Sequence, residues 1–179
     1  MAGNRPHHLK TDDPASMVRL QPSLLDRLTD DEPHKVSESI DKRVLSKSRL
    51  RQCVLRDLEW LLNTSNAESD PALLEYPEVQ RSVTNFGMTP LSGLRLSEID
   101  CVALEHNVRR AIVDFEPRIL TETLRVKALV PEDLIHHHNM VAFEIRCQMW
   151  AQPYPLEMLL RTNIDLETGE ILVQDQTGG

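Results

Sequence analysis

The residues best able to do chemistry lie close together in Arg56-Asp57-Leu58-Glu59-Trp60. A glycoside hydrolase needs two carboxyl groups beside the scissile bond, one of them kept protonated by apolar surroundings. Glu59 beside Trp60 would suit such an acid, but 28 acidic residues make chance candidates abundant and no second carboxylate stands out. An aromatic residue beside charged ones is also the mixture enriched at protein-binding hot spots. Arg56 and Glu59 can pair along a helix or reach a partner, so the spacing leaves both functions open.

Two other groups of residues could bind metals or form disulfides. His136-His137-His138 offers imidazoles, which bind zinc and nickel, but adjacent ligands rarely complete a tetrahedral site, so a solvated turn is the simpler interpretation. The cysteines Cys53, Cys101 and Cys147 have no Cys-x-x-Cys spacing and fall within apolar patterns. We expect reduced core thiols, no metal and no cofactor.

The composition of the chain argues against several classes of protein. The 179 residues are 40% hydrophobic, enough for one sizeable core, and their formal net charge of −8 argues against a nucleic-acid binder. No apolar run approaches the roughly 20 residues that span a bilayer, and residues 1–10 lack the apolar segment of a secretory signal. We therefore expect a cytoplasmic protein with no direct membrane insertion.

The N-terminal part differs in composition from the rest. Residues 1–47 are rich in Pro, Asp and Ser, with one apolar cluster in which Ser23-Leu24-Leu25-Asp26-Arg27-Leu28 predicts a single amphipathic turn. Such an arm suits docking on another subunit, and a disordered tail with one apolar patch is an equal alternative. Residues 48–179 are expected to form the folded domain.

Apolar spacing of three and four predicts two long helices. The first buries Leu50, Val54, Leu58, Leu61 and Leu62. The second is expected to begin at Ser97, through a Ser-x-x-Asp capping arrangement with Asp100, and to end near Pro117. Its expected inner face consists of Cys101, Leu104, Val108, Ala111, Ile112 and Phe115. Between the helices, residues 82–87 predict a short extended piece ending on a positive-φ Gly87.

After Pro117 the apolar period changes to two, which predicts strands. The first is expected from Ile119 to Val130, and strict alternation from Val141 to Met149 predicts a central strand. A third strand, 156–164, should turn through Gly169 into a last strand, 170–174. The sequence thus predicts an α+β fold with two main helices packed on one face of a small, mainly antiparallel sheet that has a C-terminal hairpin.

Four motifs in this order carry a family resemblance. They are Ser23–Leu28 with Asp31-Glu32-Pro33, then residues 56–64, then Ser82-Val83-Thr84-Asn85-Phe86-Gly87, and finally Phe115-Glu116-Pro117-Arg118. Together they resemble the TssE family of type VI secretion baseplate components, which is related to phage baseplate wedge proteins and often labelled lysozyme-like. The chain departs from the pattern at Met88-Thr89-Pro90-Leu91, where relatives often have a Leu-Pro-Asp-like turn.

The resemblance implies a structural subunit and no catalysis. Its implied partners are the wedge proteins TssF and TssG, the contractile sheath proteins TssB and TssC, and further baseplate parts such as TssK, in a cytoplasmic complex at the inner face of the cell envelope. A sheet edge, either residues 119–130 or the terminal strand, would exchange strands with the sheath. The implied contact residues are Arg56, Asp57, Glu59, Trp60, Asn85, Phe86, Gly87, Glu116 and Arg118. The alternatives are a lysozyme-like glycosidase and a generic adaptor that binds peptides by strand addition.

Overall fold

The elements follow one another with helices first and strands second. The computed structural model describes residues 23–29, 33–34, 46–91, 100–129 and 140–177. In these ranges the helices α1 to α4 span Leu24–Leu28, Lys47–Asn63, Pro77–Gln80 and Cys101–Phe115. The strands β1 to β4 span Arg125–Leu129, Met140–Met149, Leu156–Asp165 and Ile171–Asp175. The predicted α+β class is confirmed.

Helix α2 has the apolar face that its spacing predicts. Ser46 caps its N-terminus, where the Ser46 hydroxyl accepts a hydrogen bond from the Arg49 N–H at 3.1 Å. The buried side chains of α2 are the five predicted ones and Cys53. None of the helices in the described ranges is long and apolar enough to cross a membrane.

Helix α4 begins later than predicted. Asp100 is its N-cap, with an extended backbone and a carboxylate that accepts hydrogen bonds from the Val102 and Ala103 N–H groups at 2.9 and 3.3 Å. The predicted start at Ser97, which lies outside the described residues, is therefore wrong, because Asp100 caps the helix instead of lying inside it. The inner face is as expected, with Cys101 and Phe115 half-buried and four residues fully buried: Leu104, Val108, Ala111 and Ile112.

The strands form one antiparallel sheet in the order β1-β2-β3-β4. Strand β2 is interior, as predicted, and its alternate residues from Val141 to Met149 are buried. Helix α4 packs on β1 and α2 packs on β4, and the core lies between these helices and one face of the sheet. The opposite face carries the residues that alternate with the core residues, and it is the more exposed one.

The first strand is shorter than predicted. Ile119 makes only an isolated bridge with Met149, and β1 starts at Arg125. A 3-10 turn, Thr121–Thr123, interrupts the predicted strand because the Thr123 hydroxyl donates a hydrogen bond to the Leu120 carbonyl at 2.7 Å. Such local side-chain bonds compete with the ladder of a strand.

The segment 82–87 is not extended as predicted but contains a 3-10 turn, Val83–Asn85. The buried Asn85 amide explains the difference, because it ties this turn to two neighbouring loops. Its Oδ1 accepts from the Ala67 N–H at 2.9 Å, and its Nδ2 donates to the Gln80 carbonyl at 2.9 Å. Periodicity gives no signal for such long-range tethers.

The predicted C-terminal hairpin is confirmed. Strand β4 pairs with β3, and the Asp165 carboxylate accepts hydrogen bonds from the Glu167 and Thr168 N–H groups in the turn. Gly169 has a φ of +78°, the left-handed conformation that the turn requires.

Candidate functional site

Helix α1 packs against α2 and forms one side of the candidate site. Ser23 and Asp26 form a capping box, so five residues suffice for a defined turn. The Asp26 carboxylate lies 2.8 Å from Nη2 of Arg56 and is almost buried. Burial by itself would raise the pKa of Asp26, but the hydrogen bonds from Ser23 and Arg56 bring it down to about 2. Asp26 therefore stays ionised and anchors α1.

Arg56 joins α1, the neighbouring Asp57 and Trp60. Its Nε and Nη2 donate to Oδ1 of Asp57 at 2.9 and 2.8 Å. Its guanidinium carbon lies 5.1 Å from the centroid of the Trp60 ring, within cation–π range. Trp60 remains 52% exposed, so the ring is held in place by Arg56 while one side faces solvent.

Arg118 extends the charged network from the other side. Pro117 ends α4, and the chain returns so that Arg118 Nε donates to Glu116 Oε1 at 2.7 Å and Nη2 donates to Asp57 Oδ2 at 2.5 Å. Burial would lower the pKa of Arg118, but its contacts with Glu116 and then Asp57 raise it above the usual value. The alternating row Asp26, Arg56, Asp57, Arg118 and Glu116 thus links α1, α2 and the turn after α4.

One polar atom of this row makes no hydrogen bond to the described residues. This atom, Arg118 Nη1, is buried and enclosed by the protein. Buried donors are nearly always hydrogen-bonded, because leaving one unpaired costs about 1–3 kcal/mol. The groove therefore meets the Arg118 side chain through its other atoms.

An open groove of about 550 Å³ runs beside Arg118. We call it the Arg118 groove. Its lining combines the charged row with apolar side chains from α1, α2, the 86–91 segment and α4: Ser23, Leu25, Leu50, Asp57, Trp60, Leu61, Phe86, Phe115, Glu116, Pro117 and Arg118. Phe86 and Phe115 meet edge to face, with centroids 5.3 Å apart. The mixture suits a peptide segment with an apolar side chain and a hydrogen-bond acceptor.

The three motif residues Asn85, Phe86 and Gly87 have different surroundings. Phe86 lines the groove, whereas Asn85 is buried in the loop tether. Gly87 has a φ of +123°, and a Cβ there would lie 2.2 Å from the Thr64 carbonyl oxygen. Asn85 and Gly87 therefore hold the backbone that presents Phe86.

Glu59 lies away from this arrangement. It is exposed on α2 and does not line the Arg118 groove. Arg56 directs its guanidinium to Asp26 and Asp57, so the pairing with Glu59 that the spacing allowed is not the one observed. Of the nine candidate residues, six line or adjoin the groove: Arg56, Asp57, Trp60, Phe86, Glu116 and Arg118.

Sequence reasoning missed Asp26 and Leu25 as parts of the site. The signal that points to Asp26 is the Ser-x-x-Asp spacing with Ser23. This spacing is typical of a capped helical turn, so it indicates an ordered segment. Its partner Arg56 lies thirty positions further on, and no local pattern links the two.

The groove is poorly suited to glycoside hydrolysis. Its carboxylates, Asp57 and Glu116, both bind Arg118, whereas a general acid keeps its proton in apolar surroundings without a cationic partner. Thiol chemistry is disfavoured as well. Burial, and then the Glu116 charge, raise the pKa of Cys147 to about 11, and burial with the neighbouring Asp26 raises that of Cys53.

Both edges of the sheet are partly closed by side chains. At β1, the Ala128 N–H donates to Glu105 Oε1 at 2.7 Å. At β4, the Asn63 amide pairs with Ile171 as a strand would: its Oδ1 accepts from the Ile171 N–H and its Nδ2 donates to the Ile171 carbonyl, both at 2.8 Å. Since backbone groups alternate along a strand, Val173 and Asp175 point to the same side as Ile171.

Comparison with known proteins identifies a family. The family model described as baseplate wedge protein gp25 matches residues 48–154, a range that runs from the second residue of α2 to just beyond β2. No curated protein and no solved structure gives a significant match. The His136-His137-His138 run lies outside the described residues.

Proposed function

Because the chain belongs to the baseplate wedge protein gp25 family, we propose that it is a structural subunit of a type VI secretion baseplate wedge. In this role it joins TssF and TssG, with TssK nearby, at the cytoplasmic face of the cell envelope, and it offers a platform on which TssB and TssC begin to polymerise. The role is assembly without catalysis.

The Arg118 groove is the observation that carries this proposal. An exposed aromatic ring held by a cation beside an apolar floor combines the features of a binding hot spot. We propose that a segment of another wedge subunit enters the groove and places an apolar side chain against Phe86 and Trp60.

The remaining candidate residues support the groove indirectly. Arg56 fixes the orientation of Trp60 through the cation–π contact, and Asp57 and Glu116 fix that of Arg118 through ion pairs. We propose that Glu59, which is exposed on the same helix, belongs to the rim of the contact, where charges affect association rates more than affinity.

We propose the β4 edge as the sheath contact. The outward backbone groups of Ile171 are taken by Asn63, so a partner strand would pair next to Val173 and Asp175. The β1 edge is the alternative: α4 packs on β1 as α2 packs on β4, and Glu105 binds the Ala128 N–H. Residues 1–47 would then act as an arm whose α1 turn closes one side of the groove.

Two tryptophans with similar exposure provide a matched test. Trp60 is 52% exposed at the groove, and Trp150 is 49% exposed beyond the end of β2. The tagged chain, expressed in its host, should co-purify with the other baseplate proteins. Trp60→Ala should lower their recovery by about tenfold or more, since hot-spot truncations cost about 2 kcal/mol, whereas Trp150→Ala should not.

The assay needs folded variants, which circular dichroism and thermal melting verify. Equal loss with both variants would place the contact elsewhere than the groove. Recovery of no baseplate protein by the folded wild type would contradict the wedge assignment itself.

A further inference from the structure

The solvent-facing side of the sheet carries a concentration of positive charge that the proposed groove and strand contacts do not use. Residues that are partners on neighbouring strands form rows across the sheet. Two adjacent rows on this face, across β1, β2 and β3, contain four cations and one carboxylate. We call these residues the basic patch: Arg125, Lys127, Arg146 and Arg161, around Glu144. In a chain of net charge −8, such a local excess of cations is unexpected.

The strand register places one pair of like charges face to face. Arg125 is the partner of Arg146, whereas Lys127 and Arg161 lie on either side of Glu144. Like charges directly opposite each other destabilise a sheet, and opposite charges stabilise it. Four cations around one carboxylate still leave an excess of positive charge, which an incoming group with negative charge would neutralise.

The patch cannot neutralise itself. The Glu144 carboxylate accepts a hydrogen bond from Arg146 Nε at 2.6 Å, while Lys127 and Arg161 make no ion pair within the described residues. Arg125 donates to the Glu122 and Leu124 carbonyls. Of the four cations of the patch, only Arg146 is paired with the Glu144 carboxylate within the described residues.

The surroundings of the patch define what fits there. The next row across the sheet contains Leu129, Ala142, Asn163 and Leu172, and Leu172 is 49% exposed. Rows on one face lie about 7 Å apart, so a helix about 10 Å wide that covers the apolar row reaches the cations with one flank. Carboxylates at Glu157 and Asp165 bound the region, and Asp165 is engaged in the hairpin turn.

We propose that this face docks an amphipathic helix of a partner protein, with leucine-type residues over the apolar row and Asp or Glu residues over the basic patch. Arginines, three of the four cations, bind carboxylates through two parallel hydrogen bonds, which gives the contact a fixed geometry. Because the apolar row with the exposed Leu172 borders the patch, an amphipathic helix fits this face better than nucleic acid or an anionic lipid headgroup.

Site-specific photo-crosslinking tests the proposal in the full-length chain. A benzophenone amino acid replaces Gln174, which is exposed and is the partner of Arg161 on the open face. The same probe at Val102, 73% exposed on α4, is the control for position. Crosslinked segments from host cells are identified by mass spectrometry, so both the partner and its local charge are read directly.

We expect a crosslink from position 174 to a helical segment rich in Asp and Glu, and none to that segment from position 102. Lys127→Glu combined with Arg161→Glu should lower the yield by about tenfold or more, while Lys47→Glu, a reversal on α2, should leave it unchanged. Should the double variant fold poorly, Arg161→Gln and raised salt should weaken the same crosslink in clarified lysate.

The proposal is overturned if the segment carries no net negative charge, or if it belongs to nucleic acid, lipid or a second copy of this chain. It is equally overturned if the folded charge-reversal variant crosslinks as well as the wild type, or if position 174 gives no crosslink. These outcomes are separate from the tryptophan test, because the groove and the open face lie on different elements.

Discussion

Asn63 is expected to be essential for holding the β4 edge, although it lies at the end of a helix. Its amide makes three hydrogen bonds, two with the Ile171 backbone and one with the Glu59 carbonyl, each at 2.8 Å. Asn63→Ala removes all three and leaves the Ile171 N–H and carbonyl unpaired. Ile171 is only 3% exposed, so water reaches these groups poorly.

The cost follows from these contacts. Each buried backbone group left unpaired costs about 1–3 kcal/mol, and an edge strand lies at the lower end of that range. Asn63→Ala should therefore lower the free energy of unfolding by about 2–4 kcal/mol. Asn63→Asp keeps an acceptor for the Ile171 N–H but sets an oxygen against the Ile171 carbonyl, so it should not restore wild-type stability.

Urea unfolding followed by circular dichroism measures the change, with Gln174→Ala on the same strand as the control. Gln174 is exposed and its side chain makes no hydrogen bond to the described residues, so its truncation should stay within about 0.5 kcal/mol. Hydrogen exchange should show faster exchange of the Ile171 amide in Asn63→Ala and an unchanged Ile145 amide. A loss below about 0.5 kcal/mol in Asn63→Ala would refute the bridge as a stabilising contact.

Three further predictions concern single residues. Gly87→Ala should cost about 3 kcal/mol or more, against about 1–2 for Gly169→Ala, because only the former sets a Cβ against backbone atoms; equal losses in thermal unfolding would contradict this. Since the folded pKa of Cys147 is raised to about 11, this thiol should lower stability by about 1.4 kcal/mol per pH unit from pH 9 to 11, and Cys147→Ala should lessen the slope by that amount in urea titrations at each pH, leaving the part due to Cys53. Since the folded pKa of Asp26 is lowered to about 2, its contribution to docking of α1 is complete above pH 4 and should be lost toward pH 2. Fluorescence of Trp60, measured in a Trp150→Phe background, should follow this change, and the same change with Asp26→Asn in that background would refute the assignment.

Periodic patterns made the fold predictable. Leu58 and Leu61 face the core because helical spacing places them there, and Phe143 and Ile145 do so because β2 alternates. These rules concern neighbours in sequence, and they also identified the hairpin at Gly169.

Contacts between distant residues were not predictable in this way. Arg118 and Asp57 are 61 positions apart, and Asn63 and Ile171 are 108 apart, so only the packed fold brings them together. Two predicted boundaries, the start of α4 and the start of the first strand, were wrong because side-chain hydrogen bonds determine them. Asp100 caps α4 and Thr123 interrupts the first strand through contacts that apolar periodicity does not encode.

The most direct measurement is an electron cryo-microscopy structure of the baseplate complex purified from host cells through the tagged chain. The account predicts a segment of another wedge subunit in the Arg118 groove, with an apolar side chain in contact with Trp60 and Phe86. A complex in which this groove faces solvent, or a chain that enters no baseplate complex, would contradict the account.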